Sequence, residues 1–128
     1  MARPRNFEED VVVAQAADVF GRLGFNAASI EDLVTATGLQ RGSLYKAFGS
    51  KQNLFRLALA GALTPGWSKR AASIDLLIIA LKELAPGDGP VTDLCRAAVS
   101  ESGDATACLL GARLLEHLDS KGTPHANA

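Results

Sequence analysis

Two short amphipathic segments, Ser29 to Thr37 and Arg41 to Phe48, flank a three-residue turn that contains Gly38. Ser29-Ile30-Glu31-Asp32 offers an N-cap hydroxyl with carboxylates in the first turn, and Ile30, Leu33 and Val34 form an apolar face. In the second segment Leu44 and Phe48 lie four residues apart on one side, leaving Arg41, Ser43, Tyr45 and Lys46 largely on the others. This pattern fits a helix-turn-helix, in which the second helix can enter a DNA major groove with its polar face toward base edges and phosphates. Arg41, Gly42, Ser43, Tyr45 and Lys46 are suitable for that surface: a guanidinium for guanine, a glycine for close approach, and hydroxyls and an ammonium for phosphate.

The rest of the chain supports an all-α fold. β-Branched residues are sparse outside Val11 to Val13, and no alternating run is bounded by hairpin dipeptides. A first helix is expected from about Phe7 to Leu23, with Val12, Val13, Ala16, Val19, Phe20 and Leu23 at helical spacing and Glu8, Glu9 and Asp10 in its first turn. Gly24 would end it. Ser50 can cap a fourth helix from Lys51, with Leu54, Phe55, Ala58, Leu59 and Ala62 on its stripe and Pro65-Gly66 as its breaker. Three more helices are expected over Ser73 to Leu84, Val91 to about Ser100 and Asp104 to Ser120, the first two separated by the turn Pro86-Gly87-Asp88-Gly89-Pro90. The tail from Gly122 to Ala128 is expected to fray.

A longer pattern lies over the first half: Val12, Phe20, Gly24-Phe25, Ser29-Ile30, Leu33, Gly38-Leu39, then Arg41-Gly42-Ser43-Leu44-Tyr45-x-x-Phe48-x-Ser50-Lys51-x-x-Leu54. This string resembles the N-terminal DNA-binding domain of the TetR family of transcriptional regulators. The resemblance implies a three-helix helix-turn-helix domain over residues 1–50, followed by a linking helix and a short helical dimerisation or effector domain over 51–128. It implies a DNA-binding surface of Ser29, Gln40, Arg41, Gly42, Ser43, Tyr45, Lys46 and Lys51. Ser29 would cap the second helix and face a phosphate, Tyr45 and Lys51 would meet phosphates, and Arg41, Gly42, Ser43 and Lys46 would line the recognition surface. Leu44, Phe48, Phe20, Phe25 and Leu54 would hold the helices together. Gln40 stands where a Ser or Thr cap is usual, Val34 where alanine is common, and Ala47 where a larger residue is common.

By that resemblance the second half would dimerise, and the expected partners are double-stranded DNA and a second copy of the chain. The resulting function would be repression from a pseudo-palindromic operator. The Ser73 to Leu84 helix is apolar around most of its circumference, and the last helix has one stripe through Cys108, Ala112 and Leu115 and another through Leu110, Leu114 and Leu118. Ala107 and Gly111, four apart, would let helix backbones approach. This half is short for the family, which argues against a ligand cavity within one subunit; a small-molecule effector is left open. An alternative is a non-catalytic interaction module that heterodimerises with a longer regulator.

No nucleophile–base pair, carboxylate dyad or phosphate-cradling glycine loop points to an enzyme, and no cofactor is expected. His117 and His125 lack a closed set of metal ligands, although Glu116 adjoins the first. Cys95 and Cys108 read as small buried packing groups. No apolar run with a cleavage site follows the N-terminus and no stretch reaches a membrane span, so a cytoplasmic location is expected. Thirteen Lys and Arg against 14 Asp and Glu give a charge of -1, so any nucleic-acid affinity must come from local arrangement.

Overall fold

Three phenylalanines organise the N-terminal half. Phe20, Phe25 and Phe55 meet with ring centroids 5.1–5.9 Å apart, the Phe55 ring edge-on to both others. In the computed structural model, which describes residues 4–120, this cluster ties together the first helix, the loop after it and the fourth helix.

The order is α1 (Pro4–Leu23), α2 (Ile30–Thr37), α3 (Arg41–Phe48), α4 (Lys51–Ala62), a single 3-10 turn (Trp67–Lys69), α5 (Ala71–Ile79), a wide π turn (Ala80–Leu84), α6 (Gly89–Ser102) and α7 (Ala105–Ser120). The described residues contain no strand, and the fold is all-α as expected. Helix α1 packs on α2, α4 and α5; α4 also touches α3, α5 and α6, and α7 leans on α5 and α6. One continuous core runs from Val12 through Phe55 and Leu77 to Ala98.

Local chemistry explains most boundaries. Ser29 and Asp32 form a reciprocal capping box at α2, and the α2 C-cap is Gly38 at φ 76°, its N–H returning to the Val34 carbonyl. Ser50 accepts the Asn53 N–H and starts α4. Helix α1 spans Pro4–Leu23 with no acidic residue in its first turn, so Glu8, Glu9 and Asp10 fall in its second turn rather than its first.

Three expectations need correction. The helix foreseen from Ser73 to Leu84 starts at Ala71 and changes winding at Ala80, where the Ala85 N–H bonds the Ala80 carbonyl at 2.9 Å. With apolar residues around most of its circumference, nothing in the sequence marks the change of period. Its two-sided surface is also covered mostly within the chain: Ile74, Leu76, Leu77, Ala80 and Leu84 are buried, and of its large apolar residues only Leu81 is exposed. Cys108 is exposed, whereas Cys95 is buried; α7 turns Thr106 rather than Cys108 inward. Burial pushes the Cys95 thiol up, away from the thiolate form. The tail expected to fray lies outside the described residues, as does His125.

Candidate nucleic-acid interface

Helix α3 divides cleanly. Leu44 and Phe48 are buried and Ala47 half-buried, while Arg41, Gly42, Ser43, Tyr45 and Lys46 are exposed on one continuous arc. Gly42 and Lys46 occupy the middle of that arc, and a Cβ at Gly42 would project into open space. The backbone at the centre of the face is therefore free to approach a flat or grooved partner.

The turn before α3 is held by Thr37, whose hydroxyl donates to the Leu33 carbonyl at 2.7 Å and accepts the Leu39 N–H at 3.2 Å. Gln40 is the N-cap of α3 but makes no side-chain cap bond. At the other end the Asn53 amide donates to the Phe48 carbonyl at 2.9 Å, securing α3 to α4. The exposed face is thus carried on a short helix anchored at both ends.

Charge is arranged locally. Arg41 Nη2 pairs with the Glu31 carboxylate of α2. Lys46 has no ion-pair partner among the described residues. Ser29 is exposed, with its hydroxyl accepting the Asp32 N–H at 3.0 Å. The Ser29 backbone N–H, then its hydroxyl, hold the Asp32 carboxyl below the usual carboxylate range.

Lys51 is placed differently from the other expected contacts. Its ammonium donates to the carbonyls of Phe25 at 2.8 Å and Ala28 at 2.9 Å, and lies 4.4 Å from the Phe25 ring centroid. It closes the α1–α2 loop onto the start of α4. Ser29, Gln40, Arg41, Gly42, Ser43, Tyr45 and Lys46 are all on the surface; Lys51 alone is half-buried beneath it.

Residues 12–58 match the family described as bacterial regulatory proteins, tetR family. These residues form a TetR-family domain. The chain is 35% identical over 77 residues to an uncharacterized HTH-type transcriptional regulator, YezE, of Bacillus subtilis, spanning 60% of this chain and 38% of that protein. It is 40% identical over 57 residues to the HTH-type transcriptional repressor ComR of Escherichia coli, covering 44% of this chain and 27% of the relative. The HTH-type transcriptional repressor BdcR of the same organism is 39% identical over 57 residues, 44% of this chain and 29% of its own. The alignments thus span well under half the length of these curated relatives. No solved structure matches the chain at a significant level.

Beneath the TetR-family domain, two carboxylates bind it to the second half. Asp88, buried before α6, accepts from Gln52 Nε2 at 2.7 Å, Arg56 Nη2 at 3.0 Å and the Val91 N–H at 3.0 Å. Burial pushes the Asp88 carboxyl up, but the Arg56 guanidinium, the Val91 N–H and the Gln52 amide outweigh it and hold the group below the usual range. Glu83 accepts the Asn26 N–H at 2.7 Å. Neither carboxylate stands out in the sequence, because its partners on the other half lie more than 30 residues away; the only local signal is Asp88 preceding Gly89-Pro90, a helix-start pattern.

Among the described residues, no group of three His, Cys, Asp or Glu could hold a metal, and no helix is long and apolar enough to cross a membrane. On α7, Arg113 pairs with Asp75 through Nε at 2.7 Å and Nη2 at 2.9 Å, and with Glu116 at 2.7 Å. These bonds raise the guanidinium above its ordinary range and fix one face of α7 on α5. The other face leaves Leu114, Leu115 and Leu118 at 48%, 64% and 73% exposure.

Proposed function

We propose that this chain is a cytoplasmic, non-catalytic DNA-binding repressor that acts as a homodimer on a pseudo-palindromic operator. The observation that carries the reading is the outward arc of α3, with every polar residue of Arg41 to Lys46 exposed and both large apolar residues inward. The helix also has suitable dimensions, since eight residues span about 12 Å, the width of a major groove. Arg41 and Ser43 would meet base edges, Gly42 would admit the groove floor, and Lys46, Tyr45, Gln40 and Ser29 would meet the backbone. Lys51 has three donors, of which two hold carbonyls. Its third would be left for a phosphate.

In this reading residues 1–50 form the DNA-binding unit and 51–128 the dimerisation unit. Leu114, Leu115 and Leu118 support a symmetric α7 interface, since three adjacent exposed leucines make an apolar patch that a second copy would cover. A dimer would present two copies of α3 to half-sites about 34 Å apart. Occupation of the operator would block transcription directly, in keeping with the repressors ComR and BdcR among its relatives. An effector would act by preferring a spacing of the two heads that misses the half-sites.

The experiment is selection of duplexes from a randomised pool, followed by anisotropy titration of the enriched and scrambled sequences at two salt concentrations. A two-fold symmetric enriched motif, bound much more tightly than its scrambled form, is the expected result. Equal, salt-quenched binding to both overturns the reading. Binding that appears only with a longer relative added would favour the heterodimeric module instead.

A further inference from the structure

We infer that Glu31 is a positioning residue for sequence readout, holding the Arg41 guanidinium ready for one base pair and discouraging its use on phosphate. The inference rests on the DNA-binding reading of α3. Arg41 opens that helix, and Gln40 supplies no side-chain acceptor to the first-turn amides. The guanidinium and these amides together place positive charge at the start of the exposed arc. Across the turn, Glu31 in the first turn of α2 places its carboxylate on Arg41 Nη2.

Stability does not account for this pair. The two side chains are 54% and 69% exposed, and pairs so open to water contribute little to folding. Nor is Glu31 needed to start α2, because Ser29 and Asp32 complete the capping box between themselves. That box instead fixes the first turn from which Glu31 projects.

The geometry does serve recognition. Glu31 engages one nitrogen of a planar group that has five N–H donors, so the remaining fork can still address a base edge. A guanidinium already held in one orientation loses less freedom on binding. A fixed carboxylate beside it also repels the phosphate backbone on every sequence, whereas the matched base pair returns hydrogen bonds. Glu31 therefore weakens indiscriminate binding and sharpens preference at the base pair that Arg41 reads.

The test uses the full chain, the enriched duplex, all single-base-pair variants of it, and a scrambled duplex. Arg41→Ala first identifies the base pair whose preference is erased. Glu31→Ala is then expected to reduce preference at that same base pair by about threefold and at no other, while tightening scrambled-duplex binding by about threefold. In the Arg41→Ala background, adding Glu31→Ala should leave base preference unchanged, since its route is gone. Thermal unfolding of Glu31→Ala serves as the control for a folded α2.

An unchanged preference profile in Glu31→Ala, relaxation at base pairs that Arg41→Ala leaves alone, or an effect that persists in the Arg41→Ala background overturns the inference. So does an Arg41→Ala profile with no erased position. In each of these outcomes the enriched motif stands, and with it the regulator reading. Failure of the unsubstituted chain to enrich any motif overturns both.

Discussion

Glu83 accepts the backbone N–H of Asn26 at 2.7 Å, so a carboxylate from the turn after α5 closes the loop between α1 and α2. Its other oxygen lies 3.0 Å from the position a Cβ on Gly24 would take, and Gly24 has φ +88°. The left-handed backbone calls for the glycine, and a Cβ there would also press on the Glu83 carboxylate. Gly24→Ala should cost about 1–2 kcal/mol, and Glu83→Ala about 1 kcal/mol for the lost bond. Removing Glu83 also removes the crowding, so the double substitution should cost less than the sum. Urea unfolding of the three variants measures this; strict additivity would mean that the two residues do not constrain one another.

Asp88 offers a second prediction, with a pH arm. It caps α6 and receives both Gln52 and Arg56 from α4. Asparagine caps a helix about as well as aspartate but brings no charge to the guanidinium. Asp88→Asn should therefore cost about 1–2 kcal/mol, and Asp88→Ala about 2–4 kcal/mol, because Arg56 and Gln52 then lose their acceptor. The folded carboxyl lies below its ordinary 3.8, so the stability it contributes is complete above that value and is lost as pH falls through the lower, folded one. The stabilities of the unsubstituted chain and Asp88→Asn should converge in acid and differ most near neutrality. A gap that stays constant from neutral pH into acid would deny Asp88 that role.

Much of this architecture was readable because it is local. Ser29 with Asp32, Gly38, Ser50 and the Leu44–Phe48 spacing each fix their surroundings within a few residues, and Arg41 to Phe48 is the helix the spacing foretells. The exposed arc of α3 follows from the same periodicity. What escaped depends on distant partners. Trp67 is wholly buried in a 3-10 turn although it stands beside the breaker Pro65-Gly66, and no periodic stripe announces a single aromatic. Glu31 reads as a first-turn carboxylate until the turn folds Arg41 onto it. Lys51 matches a phosphate-contact pattern in sequence, while only the fold brings the Phe25 and Ala28 carbonyls to its ammonium.

The two cations exposed on α3 should behave differently in binding. Arg41 is oriented by a carboxylate, whereas Lys46 has no ion-pair partner among the described residues and stands mid-arc. Arg41→Ala should cost about 1–3 kcal/mol of discrimination at one base pair. Lys46→Ala should weaken enriched and scrambled duplexes alike and lower the salt slope by about one. Anisotropy at several salt concentrations separates the two effects; a uniform loss for Arg41→Ala would remove it from base readout.

The exposed leucines of α7 bear on assembly. Thr106, Leu109, Leu110 and Arg113 turn toward the body of the chain, and Arg113 is pinned there by Asp75. Leu114, Leu115 and Leu118 are left on the outer side, with the half-buried Gly111 one turn before them. A glutamate on this face would cost the monomer little, since Leu118 is already 73% exposed, but in a symmetric interface it would place two like charges together in a desolvated seam. Leu118→Glu should therefore leave the thermal unfolding of dilute protein nearly unchanged while halving the mass seen by light scattering at higher concentration. Affinity for a two-half-site duplex should fall with the mass, whereas affinity for a single half-site should not. An unchanged mass would remove α7 from the dimer interface, and a mass already monomeric in the unsubstituted chain would remove the homodimer itself.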